Sequence, residues 1–127
     1  MPLVRISLMK GRADGLGKRV GEVVYRSMLD TIAVPVQDNF QIISEHDADA
    51  LIYDPSYLDI ERTDGIVIVQ ITLNEGRSVE RKRDLFGAIA QRLHDELGIR
   101  PEDVLINLVE VRKENWSFGN GIAQYAR

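Results

Sequence analysis

The chain resembles itself at an offset of about 65 residues, and a duplicated unit restricts the possible folds more than any single motif does. Gly11-Arg12 recurs as Gly76-Arg77, and the apolar positions Val20, Val24, Met28 and Ile32 recur as Leu85, Ile89, Leu93 and Leu97. Val34-Pro35 followed by Asp38 recurs, contracted by one residue, as Arg100-Pro101 followed by Asp103. Whatever one half forms, the other half forms too.

Each half reads strand, helix, strand. In the first, Leu3 to Met9 sets Val4, Ile6 and Leu8 against Arg5 and Ser7, the two-residue period of a strand. The stripe Leu16, Val20, Val23, Val24, Met28 and Ile32 then keeps the spacing of an amphipathic helix, with Asp14 as its expected cap and Pro35 as its stop. Phe40-Gln41-Ile42-Ile43 reads as the second strand. In the second half, Ile66 to Leu73 is a strand and Ser78 the expected cap of a helix carrying Leu85, Phe86, Ile89, Leu93 and Leu97. Gly98 ends that helix, and Val104 to Val111 closes the unit. The predicted fold is α/β, one domain over residues 1–127 with pseudo-repeats at about 2–45 and 66–111.

A helix crossing between strands makes those strands parallel neighbours, and the crossover is right-handed in nearly all cases. Two such units predict a four-stranded, mainly parallel sheet with both helices on one face. Strand Ile66–Leu73 is nevertheless apolar on both sides, with Val67, Val69, Ile71 and Leu73 on one and Ile66 and Ile68 on the other. Parallel sheets are usually covered on both faces, so other subunits are expected to supply the missing layer. Residues 46–65 join the units, with Leu51-Ile52-Tyr53 and Tyr57-Leu58 as short strands or turns.

Composition narrows the chemistry. The 127 residues contain no cysteine, which removes disulfides, thiolate metal sites, iron–sulfur clusters and a cysteine nucleophile. His46 and His94 lack a second imidazole at ligand spacing and read as structural, so no metal is expected. Twenty acidic residues against 16 basic ones disfavour a nucleic-acid-binding face. The longest apolar run, Ile66-Val67-Ile68-Val69, is far short of a membrane span, and the start lacks the apolar core of a secretion signal. The expected location is cytoplasmic. Gly15-Leu16-Gly17 has neither the length nor the lysine of a phosphate loop, and no serine sits in a nucleophile elbow.

Four places remain for chemistry. Removal of Met1 would leave Pro2 as a free secondary amine, able to serve as base, proton donor or nucleophile toward a carbonyl. The plainer reading is an ordinary Met-Pro start. Arg77 follows Gly76 at the carboxyl end of a buried strand, where open parallel sheets place ligands, and a guanidinium there can grip a carboxylate. The alternative is a solvated turn arginine, with its repeat mate Arg12 as the internal control. Asp38 can activate water or tune a nearby amine, or it is a turn aspartate like Asp103. Trp116 and Phe118 can wall a small pocket, or belong to the core or an interface.

Taken together, the Pro2-Leu3-Val4-Arg5-Ile6 start, the fused units, Asp38 before Phe40-Gln41-Ile42, Gly76-Arg77 and Trp116-Ser117-Phe118-Gly119 resemble the tautomerase superfamily, nearest to malonate semialdehyde decarboxylases. The resemblance covers nearly the whole chain. It implies a homotrimer acting without metal or organic cofactor on a small carboxylate substrate, with an N-terminal proline in each active site. By position it implies Pro2, Asp38 and Arg77 as catalytic residues, with Arg77, Trp116 and Phe118 binding the substrate. The implied activity is decarboxylation of a small 3-oxo acid such as malonate semialdehyde, with possible hydratase activity. A tautomerase using neutral Pro2 as base, and a non-catalytic oligomeric interaction protein on the same scaffold, are the alternatives. One departure from the pattern is that Asn74-Glu75-Gly76-Arg77 carries glutamate where some of these decarboxylases have a second arginine.

Overall fold

A computed structural model describes residues 2–126. The alternating strands and the two apolar helical stripes fold as their periods dictate. The order is β1 (Leu3–Met9), α1 (Leu16–Ile32), β2 (Phe40–His46), β3 (Val67–Asn74), α2 (Val79–Leu97) and β4 (Val104–Val111), with short 3-10 turns at Tyr57–Asp59, Pro101–Asp103, Lys113–Asn115 and Gln124–Ala126. The sheet order is β2-β1-β3-β4. β1 runs parallel to β2, and β3 parallel to β4, while β1 and β3 meet antiparallel at the centre.

The strand register makes the duplication geometrical. Leu3 pairs with Phe40 and Val67 with Val104, the same spacing in each half. Across the centre, Leu3 faces Thr72 and Ser7 faces Ile68, and the repeat offset exchanges these two pairs. A local twofold axis therefore passes beside the Arg5–Gln70 pair. The start of β1 lies against the end of β3, and the end of β1 against the start of β3, so the molecule has two related ends.

Both helices pack on one face, as the strand–helix–strand pattern predicts. Val4, Ile6, Val67, Val69 and Ile71 from the strands meet Val20, Val24, Met28, Leu85, Ile89 and Leu93 from the helices, all buried in one core. Shortening a residue such as Ile6 to alanine would cost about 2–5 kcal/mol by removing buried methyl groups and leaving a cavity. The opposite sheet face is less covered. It carries Phe40, Ile42, Leu105 and Val109, all exposed, around a polar centre where Gln70 Nε2 donates to Asn107 Oδ1 at 3.0 Å. Met9, Leu51 and Ile66 form a small second cluster beneath the connecting segment.

The helix ends differ from the predicted caps in one case. Ser78 caps α2, accepting from the Arg81 N–H, and Gly98 ends it in the left-handed region. At α1 the cap is Gly15 rather than Asp14, with φ of 75° and no side-chain hydrogen bond. Glycine adopts that backbone geometry without a Cβ penalty, so the turn is set one residue later than the side-chain rule predicts. α1 also stops at Ile32, before Pro35, on a left-handed Ala33. The connecting segment, all of it among the described residues, contains a turn at Tyr57–Asp59 and no strand after His46. No helix among the described residues is long and apolar enough to cross a membrane.

Candidate active site

The site forms at the end of the twofold-related sheet where the chain begins. Pro2 is buried immediately before β1. Antiparallel pairing of β1 with β3 carries the end of β3, and with it Asn74-Glu75-Gly76-Arg77, to the same end. β4 continues past Val111 into Trp116 and Phe118, which return to this region. A cavity of about 230 Å³ is lined by Pro2, Leu3, Phe40, Trp116, Ser117 and Phe118.

Its walls are stiffened by specific contacts. The rings of Trp116 and Phe118 stack with centroids 5.2 Å apart, and Phe118 meets Tyr125 edge-on, also at 5.2 Å. The Trp116 indole N–H donates to Asn74 Oδ1 at 2.7 Å, tying the aromatic wall to the end of β3. Gln124 closes the C-terminal turn by accepting from the Phe118 N–H at 2.9 Å and donating to the Gly119 carbonyl at 3.0 Å. Gly119 has a φ of 143°, a conformation that disfavours a side chain and turns the segment back.

Arg77 stands behind this wall. Its Nε donates to the Ile32 carbonyl at 3.4 Å and its Nη1 to the Asn74 carbonyl at 3.2 Å. The first contact crosses between halves, from the start of the second helical segment to the last turn of α1. Among the described residues the guanidinium is therefore held by neutral carbonyls and by no carboxylate. Burial, with repulsion from Arg81, lowers its pKa against the opposing attraction of Glu110.

Asp38 is buried, with 7% of its surface exposed, and its own N–H donates to the Pro35 carbonyl at 3.2 Å. Burial raises its carboxyl pKa. Tyr125 feels the same carboxylate: partial burial and the charge of Asp38 both raise the phenol. Asp38 thus belongs to the same end of the sheet, between the chain start and the C-terminal turn.

Of the residues singled out from sequence, Pro2, Trp116 and Phe118 share the cavity itself. Arg77 and Asp38 do not line it: Arg77 is linked to its wall through Asn74, which also accepts from Trp116, and Asp38 lies near enough to Tyr125 for its charge to raise the phenol. Arg12, the repeat mate of Arg77, lies at the opposite end. Sequence reasoning misses Asn74, Phe40, Gln124 and Tyr125 as parts of the site. Asn74 carries a signal, as a polar residue ending an apolar strand two positions before a glycine.

No group of three or more acidic, histidine or cysteine side chains among the described residues can hold a metal ion. Comparison with known proteins places this geometry. A family model described as tautomerase enzyme matches residues 38–119. The chain is 43% identical over 124 residues to the probable tautomerase YusQ of Bacillus subtilis (strain 168), covering 98% of each chain. It is 34% identical to the probable tautomerase YrdN of the same organism, covering 98% of this chain and 96% of that one. Among solved structures, FG41 malonate semialdehyde decarboxylase inhibited by 3-bromopropiolate matches with a TM-score of 0.90 at 32% identity, covering 98% of this chain and 94% of that one. A buried proline opening the first strand, an arginine carried to the same end of the sheet by the second unit and this whole-chain similarity point the same way: the chain belongs to the tautomerase family.

Proposed function

We propose that this enzyme decarboxylates a small 3-oxo acid such as malonate semialdehyde, with Pro2 as the proton donor and Arg77 as the carboxylate anchor. The observation that carries this reading is the small, aromatic-walled cavity at Pro2, with Arg77 at the same end of the sheet holding only backbone carbonyls as hydrogen-bond acceptors among the described residues. Such an arginine can take a carboxylate without first breaking an ion pair. The similarity to malonate semialdehyde decarboxylase supports the same reading.

The chemistry follows from electron flow. When the bond between the carboxyl carbon and C2 breaks, its electron pair moves toward the aldehyde carbonyl and negative charge develops on that oxygen. A protonated Pro2 amine donates its proton there, giving neutral carbon dioxide and the enol of acetaldehyde, which then reverts to the aldehyde. Arg77 holds the carboxylate so that the breaking bond stands perpendicular to the carbonyl plane, where orbital overlap allows cleavage. Its grip also stabilises the ground state, so orientation must outweigh that effect. The Trp116 and Phe118 rings favour the charge-dispersed transition state over the localised carboxylate. Asp38, buried at the same end of the sheet, would favour the protonated Pro2 amine by its charge and is suited to orient water in a hydration reaction.

This mechanism requires the mature chain to begin at Pro2, because an amide nitrogen following Met1 neither donates nor accepts the proton. Intact-mass measurement of the native product tests that requirement. The assembly belongs to the same proposal: three chains associate through the apolar sheet face bearing Phe40, Ile42, Leu105 and Val109. A fused 4-OT of the same fold, at 23% identity and a TM-score of 0.78, is a symmetric trimer.

The names of the Bacillus relatives favour a second reading, a tautomerase in which neutral Pro2 moves a proton between carbon and enol oxygen. Incubation with malonate semialdehyde and, separately, with an enolisable 2-oxo acid distinguishes the two. Release of carbon dioxide and acetaldehyde from the first is the expected result. Turnover of the 2-oxo acid alone, with a Pro2 amine found neutral at pH 7 by nitrogen NMR, overturns it.

A further inference from the structure

The end of the sheet related to the Pro2 site by the local twofold carries a second, larger cavity, of about 450 Å³. Its walls include Lys10, Arg12, His46, Asp47, Asp64 and Gly65. Arg12 occupies there the place that Arg77 occupies at the first end. Each follows a glycine of positive φ, Gly11 at 86° and Gly76 at 118°, directly after a central strand. Arg77 has two carbonyl acceptors, whereas Arg12 Nη1 has no acceptor among the described residues and is sealed from solvent. A buried guanidinium nitrogen without an acceptor is costly, and an anion that meets it as the side chain turns toward the cavity removes that cost.

The neighbouring charges decide what kind of anion fits. Asp47 already pairs with Lys10 at 3.4 Å, and Asp64 accepts from the Tyr53 hydroxyl at 2.8 Å. Asp103, the repeat mate of Asp38, is taken up by the Thr63 N–H and hydroxyl, each at 2.7 Å, and by Arg100 at 3.4 Å. Among the described residues of this end, Arg12 is thus the cation with a buried donor left over, while the two lining carboxylates would repel a dianion. The place of the proline amine is taken by the peptide nitrogen of Val67, inside a continuous chain at the start of β3. A peptide nitrogen in that place cannot act on a bound molecule.

We infer that the Arg12 cavity is a second, non-catalytic binding site for a small monocarboxylate. It takes the class of molecule proposed for the Pro2 end, but its recognition does not depend on that proposal. Arg12 supplies the charge, and Lys10 and His46 line the approach.

The test uses the full-length assembled protein carrying Arg77→Ala, which weakens the anchor at the first end, and propionate as an unreactive probe. Titration followed by amide NMR is expected to give saturable shifts at Gly65 and Ala48, with an affinity of roughly millimolar order for one charge-assisted anchor. Adding Arg12→Gln is expected to weaken this binding by about tenfold or more. Arg12→Lys, which retains charge, is expected to weaken it less, and it is the variant read if the glutamine form does not fold. In the otherwise native chain, Arg12→Gln is expected to leave turnover within about twofold. Absent or unsaturable shifts at Gly65 and Ala48, or equal affinity with and without Arg12, would overturn the inference.

Discussion

The two ends of the central strand pair have the same plan and different chemistry. At one end Pro2 is buried immediately before β1, and Arg77 reaches back across the repeat to the Ile32 carbonyl. At the other end the connector runs straight into β3, and Asp103 ties that connector down through Thr63. The aspartates show the contrast most directly. Asp103 is a structural acceptor with three donors, whereas Asp38 is a buried carboxyl whose pKa is pushed up by burial. Duplication places a glycine–arginine pair at each end of the central strands, and the residues around the two pairs differ.

Substitutions at the two ends sharpen that contrast. The largest effect is expected for Pro2→Ala, with kcat/KM for malonate semialdehyde reduced roughly 10²–10⁴-fold while light scattering shows an unchanged assembly. Arg77→Ala is next, at about 10²-fold or more with a raised KM, because both binding and orientation of the carboxylate are lost. Initial rates across substrate concentration separate the two components. A normal kcat/KM in either variant would remove that residue from the reaction.

Asp103→Ala should act on stability instead. Its side chain is 2% exposed, and removing it leaves the Thr63 N–H and hydroxyl without their acceptor, a loss of about 2–4 kcal/mol in denaturant unfolding. A variant as stable as the native chain would show that the connector is not anchored there. Asn74→Ala frees the Trp116 indole and is expected to cost about tenfold in kcat/KM, with a change in tryptophan fluorescence reporting the lost hydrogen bond.

The smallest effect concerns Asp38. Its folded pKa is raised, so its contribution to stability is greatest below the ordinary carboxyl range and is lost as pH rises through the raised value. Asp38→Asn removes the charged form. The variant should match the native chain in acid and melt about 1–3 °C higher at neutral pH. A lower melting temperature at neutral pH would mean that the surroundings favour the charged form despite burial.

Much of the fold is legible in the residue pattern. The helix stripes and the strands appear at their expected positions because burial of apolar side chains at a fixed period is a local property of the sequence. Ser78 and Gly98 terminate α2 as their residue types predict, since a cap depends on a few neighbouring atoms. Asp14 does not cap α1 because Gly15 adopts the left-handed turn more easily, a competition between adjacent residues that composition does not rank. In the site, Pro2, Trp116 and Phe118 stand out by residue type and share a cavity, while Asn74, Gln124 and Tyr125 do not stand out. Those three act by holding other residues, and that role depends on side-chain positions brought together from distant parts of the chain.

The duplication, the strand–helix–strand order and the amphipathic faces were determined by the sequence itself, because each is a pattern of residues close along the chain. The antiparallel meeting of β1 and β3, which creates the twofold and carries Arg77 to the Pro2 end of the sheet and Arg12 to the other, was decided only by tertiary structure. Hydrogen bonding between strands far apart in sequence has no local signature, and a choice of strand order at the sheet centre separates two arginines with the same local context.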